Sequence, residues 1–161
     1  MISWNDEKTG LWVGMPTKVW DKIIKLSNKT YPKECGGILI GSYDKTLKEA
    51  RINDIFFSKN SIFEKYSLLR EAKGANIFLK LIWRFSCASK YFIGEWHTHP
   101  NGNYVPSSED DNAMYKITRE ENCQCSRPIL IILNGNKSKG WRAEKIWVYT
   151  KEGFRVELNH I

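Results

Sequence analysis

The sequence predicts an α/β fold built on a mixed central β-sheet flanked by helices. Three features carry this expectation: apolar runs of strand length at Gly36–Ser42, Tyr91–His99 and Ile129–Leu133; amphipathic stretches at helical spacing between them; and a strand–turn–strand run that closes the chain. Helices interleaved with strands imply crossovers and parallel pairs, while the closing run is antiparallel, hence a mixed sheet.

Leu11–Met15 reads as the first strand. Pro16 suits the first turn of a helix running to about Lys29, whose apolar stripe is Val19, Trp20, Ile23 and Leu26. Gly36–Ser42 is a buried strand, and Tyr43–Thr46 turns the chain into another, Leu47–Phe57. Ser67–Ser89 is expected as a long helix, with Leu68, Leu69, Ala72, Ala75, Leu79, Ile82 and Trp83 near helical spacing and Gly74 weakening it. Strand Tyr91–His99 follows, then a Gly/Asn/Pro loop from Pro100 to Pro106 and a helix opening at Ser107 or Ser108. Strands at Ile129–Leu133, Trp141–Thr150 and Phe154–Leu158 end the chain, with turns at Asn134-Gly135 and Glu152-Gly153.

A chain of 161 residues, with no internal repeat or linker composition, fits one domain spanning 1–161. Hydrophobic residues at 42% and aromatics at 13% exclude a disordered chain. The longest aliphatic stretch, Ile129–Leu133, is too short to span a bilayer, so no membrane partner is expected. Met1–Gly10 is polar and lacks the apolar core of a secretory signal. A cytoplasmic setting follows, in which Cys35, Cys87, Cys123 and Cys125 stay reduced. The net charge of +7 is concentrated between Lys59 and Lys90. That stretch reads as a solvated helix face; no nucleic-acid motif accompanies it, and nucleic acid is not an expected partner.

The chemistry lies in Gly-Glu-Trp-His-Thr-His-Pro. His97 and His99 stand two apart on a strand and therefore project from one face, and Pro100 ends the strand beyond them. A loop leads to Ser107-Ser108-Glu109-Asp110, where Ser107 also suits a helix cap and Asp110 its first turn. Two imidazoles and a carboxylate form a three-ligand zinc set with a fourth position open to water. A His-x-His pair alone is weak evidence, since such histidines are more often polar residues at a strand end. A helix start at Ser107 would serve the metal reading equally, by holding Asp110 rigid.

The combination resembles the JAMM (JAB/MPN) family of zinc metallopeptidases. His97-Thr-His99-Pro100, six residues, then Ser107-x-x-Asp110 matches that family's H-x-H-P-x(6)-S-x-x-D signature without a gap. Glu34-Cys35-Gly36-Gly37-Ile38-Leu39-Ile40-Gly41 resembles its upstream E-x-G-G-x-L-x-G pattern, and the order of elements agrees over nearly the whole chain. The resemblance implies a single JAB/MPN domain of cytidine-deaminase-like architecture, with zinc held by His97, His99 and Asp110. It further implies that Glu34 is the general base, taking a proton from water and passing it to the departing amine, and that Ser107 hydrogen-bonds the oxyanion. Bottom-up, Glu95 is a rival base or a support for the ligands, because it lies in phase with His97.

The overall likeness is greatest to stand-alone prokaryotic deconjugases of CBASS anti-phage operons. This implies an isopeptidase acting at a ubiquitin-like C-terminal tail, with a cGAS-like nucleotidyltransferase as the conjugated partner. The substrate tail would lie along the sheet edge beside the metal, adding a strand. Two other readings stand beside it: a RadC-like DNA-associated protein, from the loop Asn101–Ser107, and a non-catalytic MPN scaffold, disfavoured because every ligand is present. Cys123 and Cys125 lack the spaced partners of a second metal site; Cys35 and Trp96 read as core, and His160 as solvated.

Overall fold

Asp6 starts the first turn of the chain. Its carboxylate accepts hydrogen bonds from the Thr9 backbone N–H and hydroxyl at 3.0 and 2.6 Å, and Gly10, at φ 69°, closes the turn on the Asp6 carbonyl. This makes a hairpin of β1 (Ile2–Asp6) and β2 (Leu11–Met15). The computed structural model describes residues 1–57, 80, 83–84, 86–87, 89–120, 123 and 125–161. The further elements in chain order are α1 (Thr17–Thr30), β3 (Gly36–Tyr43), β4 (Glu49–Phe56), β5 (Tyr91–Pro100), α2 (Ser108–Arg119), β6 (Ile129–Asn136), β7 (Gly140–Arg142), β8 (Lys145–Tyr149) and β9 (Arg155–His160).

Most expected strands are present, with four local corrections. The β1 strand occupies the polar N-terminus because only one of its side chains, Trp4, is fully buried, and there its indole N–H donates to the Ala143 carbonyl at 2.7 Å. Pro16 precedes α1 as its cap residue rather than sitting within it, and Val19 N–H donates to its carbonyl. The turn expected at Asn134-Gly135 lies two residues later, because the Asn136 side chain accepts from the Ser138 and Lys139 N–H groups at 2.9 and 2.8 Å. Trp141–Thr150 divides into β7 and β8 at Ala143-Glu144. The expected helix Ser67–Ser89 and its basic face lie almost wholly outside the described residues; Lys80, Trp83 and Arg84, which are described, are helical.

The mixed sheet is present, but it does not form an open layer between helices. The strands run β5-β3-β4-β2-β1-β9-β8-β6, and β6 pairs back onto β5, closing a barrel-like sheet. The pairs β2–β4 and β5–β6 are parallel and the others antiparallel. Closure follows from twist and from bulges in β3, between Leu39 and Gly41, which tighten the curvature. Gly94 opens the closing pair at φ 154°, and a Cβ there would lie 2.0 Å from the Ile129 carbonyl oxygen. Only glycine allows that approach.

The core on the two faces of this sheet takes Ile38, Leu39, Ile52, Ile93, Ile129, Ile131 and Ile146, all fully buried. α1 lies on it through Val19 and Ile23, and α2 through Met114 and Ile117. β5 has β3 on one side and β6 on the other, so a peptide cannot add a strand along it. Among the described residues only β7 has a single partner strand, and its Arg142 pairs with Asn134, the residue of β6 that faces His99. No described helix is long and apolar enough to cross a membrane.

Candidate metal centre

Strand alternation on β5 turns Trp96 and Thr98 to one side, and Glu95, His97 and His99 to the other. His97 is paired with Gly36 of β3 and with Ile132 of β6, and His99 with Asn134 of β6. His97 is 1% exposed. Gly36 puts no side chain over His97 from the β3 side, which leaves room for a shared ligand.

Beyond Pro100 the chain folds back on itself. Asn101, at φ 58°, donates its N–H to the Gly135 carbonyl at 2.8 Å, and Gly102 N–H returns to the His99 carbonyl at 3.0 Å. This turn brings the Asn103 carbonyl to 2.9 Å from His99 Nδ1. A carbonyl can only accept, so His99 donates from Nδ1 and turns Nε2 away from this contact. His99 Nε2 lies 3.1 Å from His97 Nε2.

Ser107 then caps α2 and fixes the third group. Its N–H and hydroxyl donate to Asp110 Oδ2 at 2.8 and 2.7 Å, while Asp110 N–H donates to Ser107 Oγ at 3.1 Å. This reciprocal capping box leaves Asp110 Oδ1 3.6 Å from His97 Nε2. The donor atoms of His97, His99 and Asp110 all lie within 4.8 Å of one another.

The set fits a zinc-sized divalent ion. The Nε2–Nε2 separation of 3.1 Å is close to the edge, roughly 3.3 Å, of a tetrahedron with ~2.0–2.1 Å metal–nitrogen bonds. Burial holds the His97 imidazole down to about 4; the Asp110 carboxylate opposes this shift and His99 adds to it. At neutral pH His97 is therefore uncharged and can offer a lone pair.

Glu34 is exposed, in the segment between α1 and β3, and is not part of the three-residue cluster. The neighbouring pairing places it. Thr98 N–H donates to the Cys35 carbonyl at 2.8 Å, and Cys35 N–H donates to Thr98 Oγ1 at 2.9 Å. Glu34 lies directly before this bonded residue, two positions ahead of the first ladder pair, Gly36 with His97. Glu95 is 2% exposed and sits one rung deeper, across from Ile38. Water and substrate reach Glu34 far more readily than Glu95.

The spacing of His97, His99, Ser107 and Asp110 was legible in the sequence, but three supports were not. Thr98 is the hydroxyl that ties the Glu34-Cys35 segment to β5, and its only sequence signal is a polar residue out of phase with the histidines on a buried strand. The Asn103 carbonyl takes the His99 Nδ1 donor and leaves no trace in a side-chain motif. Asp111 accepts from Tyr149 and Arg155, and its signal is only a doubled acid after Glu109.

The closed mixed sheet brings a His-x-His strand and an aspartate on a capped helix together, and the chain belongs to the JAB family: residues 16–147 match the model of the prokaryotic homologs of the JAB domain. Among curated relatives it is 35% identical over 104 residues to the CD-NTase/cGAS isopeptidase of Enterobacter hormaechei, covering 64% of this chain and 56% of that protein. The chain thus spans little more than half of that relative's length. It is also 25% identical over 126 residues to a probable metalloprotease of Sinorhizobium fredii, covering 78% and 76% of the two chains. A solution structure of a Desulfitobacterium hafniense protein shares the fold at a TM-score of 0.61 and 15% identity, covering 90% of this chain and 88% of that one.

Proposed function

We propose that residues 1–161 act as a single JAB/MPN domain and that the chain is a cytoplasmic, zinc-dependent isopeptidase of the JAMM type. The observation that carries the reading is the convergence of His97 Nε2, His99 Nε2 and Asp110 Oδ1, with His99 Nδ1 and Asp110 Oδ2 each committed elsewhere. His99 and Asp110 are each left with one atom to give. Bound there, zinc would supply a Lewis acid that polarises a carbonyl and lowers the pKa of water from ~16 toward ~7.

In this reading the other residues move protons and stabilise charge. Glu34 accepts a proton from the attacking water as the water oxygen bonds to the scissile carbonyl carbon, and returns it to the nitrogen as the C–N bond breaks. The Ser107 hydroxyl turns from Asp110 to donate to the oxyanion. Asp110 Oδ2 meanwhile keeps the Ser107 N–H at 2.8 Å, so the ligand stays fixed while the hydroxyl is used.

The substrate in this reading is a protein joined through an isopeptide bond to a ubiquitin-like C-terminal tail. The similarity to a CD-NTase/cGAS isopeptidase supports a cGAS-like cyclase in a CBASS anti-phage operon as the conjugated protein, released from its targets by cleavage. The test is metal content and cleavage of a tail-linked fusion, measured side by side for wild type, Glu34→Ala and Asp110→Ala. The expected result is about one zinc per wild-type chain, zinc without activity in Glu34→Ala, and neither in Asp110→Ala. A wild type that holds no metal would sink the reading in favour of a scaffold; one that holds zinc without cleaving would leave the metal site and overturn the substrate.

A further inference from the structure

Asp110 is aimed by its neighbour. Consecutive side chains on a helix diverge by about 100° around the axis. Asp110 therefore faces β5 only if Asp111, the next residue, faces a fixed point on another side of α2. It does: Asp111 Oδ1 accepts from the Tyr149 hydroxyl at 2.6 Å and from the Arg155 guanidinium. Tyr149 lies at the end of β8 and is fully buried; Arg155 opens β9. Both donors therefore belong to the barrel wall, not to the helix.

A second contact repeats the anchor one turn later. Tyr115 follows Asp111 by four residues, on the same helical face, and meets the Tyr149 ring edge-on with centroids 5.0 Å apart. Tyr149 thus touches α2 twice, once through its hydroxyl and once through its ring. Burial, with the Asp111 carboxylate beside it, raises the phenol well above its usual range, so the hydroxyl keeps its proton and always donates. The capping box fixes the Asp110 carboxylate relative to its own helix. Nothing in that box fixes the helix relative to β5, and the Asp111 contacts supply this link.

We infer that Asp111, held by Tyr149 and Arg155, is a positioning residue that sets the rotation of α2 and so brings Asp110 into ligand range of His97 and His99. The inference rests on the metal reading of that site. Losing either partner would let α2 turn by a few degrees, which matters for a ligand whose range is a few tenths of an ångström and little for the packing of Met114 and Ile117.

The test is titration of the metal-free protein with Co²⁺, read by its visible absorption, for wild type, Tyr149→Phe, Asp111→Ala and Ile52→Val. Ile52 is on β4, two strands removed from β5, and its truncation loosens the barrel without touching the anchor. Tyr149→Phe is expected to bind Co²⁺ about ten-fold more weakly, with an altered band, as removal of an outer support does. Asp111→Ala should lose more, and if it fails to fold, Tyr149→Phe decides alone. Ile52→Val should bind as wild type does. A Tyr149→Phe protein with wild-type affinity and spectrum overturns the inference and leaves the metal site standing. Equal weakening in Ile52→Val overturns it too, since the loss would then follow general stability. A wild type that binds no Co²⁺ overturns both.

Discussion

Ser107 holds Asp110 with two donors on one oxygen: the backbone N–H at 2.8 Å and the hydroxyl at 2.7 Å both meet Oδ2, leaving Oδ1 for the histidine side. In the proposed reading the hydroxyl has two roles, one in the resting helix cap and one at the oxyanion, and the backbone N–H keeps Asp110 Oδ2 fixed while the second is exercised. Ser107→Ala should cost about 1 kcal/mol of stability through the lost cap and about 10²–10³-fold in kcat through the lost oxyanion donor. Metal content should stay near wild type, because the N–H bond remains. Thermal unfolding, metal analysis and steady-state kinetics on one preparation separate the three effects; unchanged kcat would remove Ser107 from the chemistry.

Metal binding should stabilise the fold, because the ligands come from separate elements, β5 and α2, that only folding brings together. A ligand present at a hundred times its dissociation constant adds about 2.7 kcal/mol. Zinc should therefore raise the unfolding midpoint of metal-free protein, and a chelator should reverse the rise. Asp110→Ala should abolish most of the zinc response while Glu34→Ala keeps it. An equal zinc response in all three proteins would mean the ion binds elsewhere.

The difference between what was legible and what was not is one of range. His97, His99, Ser107 and Asp110 fall within fourteen residues, and strand alternation and helix capping are local rules, so the ligand cluster could be read from spacing alone. Glu34 is distant in sequence, and no spacing rule selects it; only its resemblance to a family pattern did. Barrel closure depends on β5 meeting β6 in parallel, a long-range pairing that leaves no periodic mark in either strand. The β1 strand escaped because one tryptophan, Trp4, carries all of its full burial. Asp111 escaped for a related reason: its partners Tyr149 and Arg155 lie 38 and 44 residues away.

Closure has its own test at Gly94. A Cβ there would lie 2.0 Å from the Ile129 carbonyl oxygen and 2.7 Å from its nitrogen, both backbone atoms with no freedom to retreat. Gly94→Ala should therefore cost more than about 4 kcal/mol, the range reserved for severe clashes and broken networks, and should accumulate poorly or unfold at low urea. Gly153, at φ 88° with open space around it, is the control: Gly153→Ala strains one turn, without a clash, and should cost about 1 kcal/mol. Similar losses at both positions would mean that conformation alone, and not the β5–β6 approach, explains Gly94.

Thr98 connects the metal strand to the proposed base. Its hydroxyl oxygen accepts from Cys35 N–H at 2.9 Å, and both groups are buried, so Thr98→Val leaves a buried donor without a partner at nearly unchanged volume. That should cost about 1–3 kcal/mol. The histidines on the opposite side of β5 keep their places, so zinc content should not change. The segment carrying Glu34 loses the bonds that the Thr98 hydroxyl makes to Cys35 and keeps the one from Thr98 N–H to the Cys35 carbonyl. Activity should fall in kcat rather than KM, because a displaced base affects the transition state and not the docking of the substrate protein. Kinetics alongside metal analysis decide it: a loss of zinc in Thr98→Val would place its effect on the ligands, and full kcat would show that Glu34 does not depend on this bond.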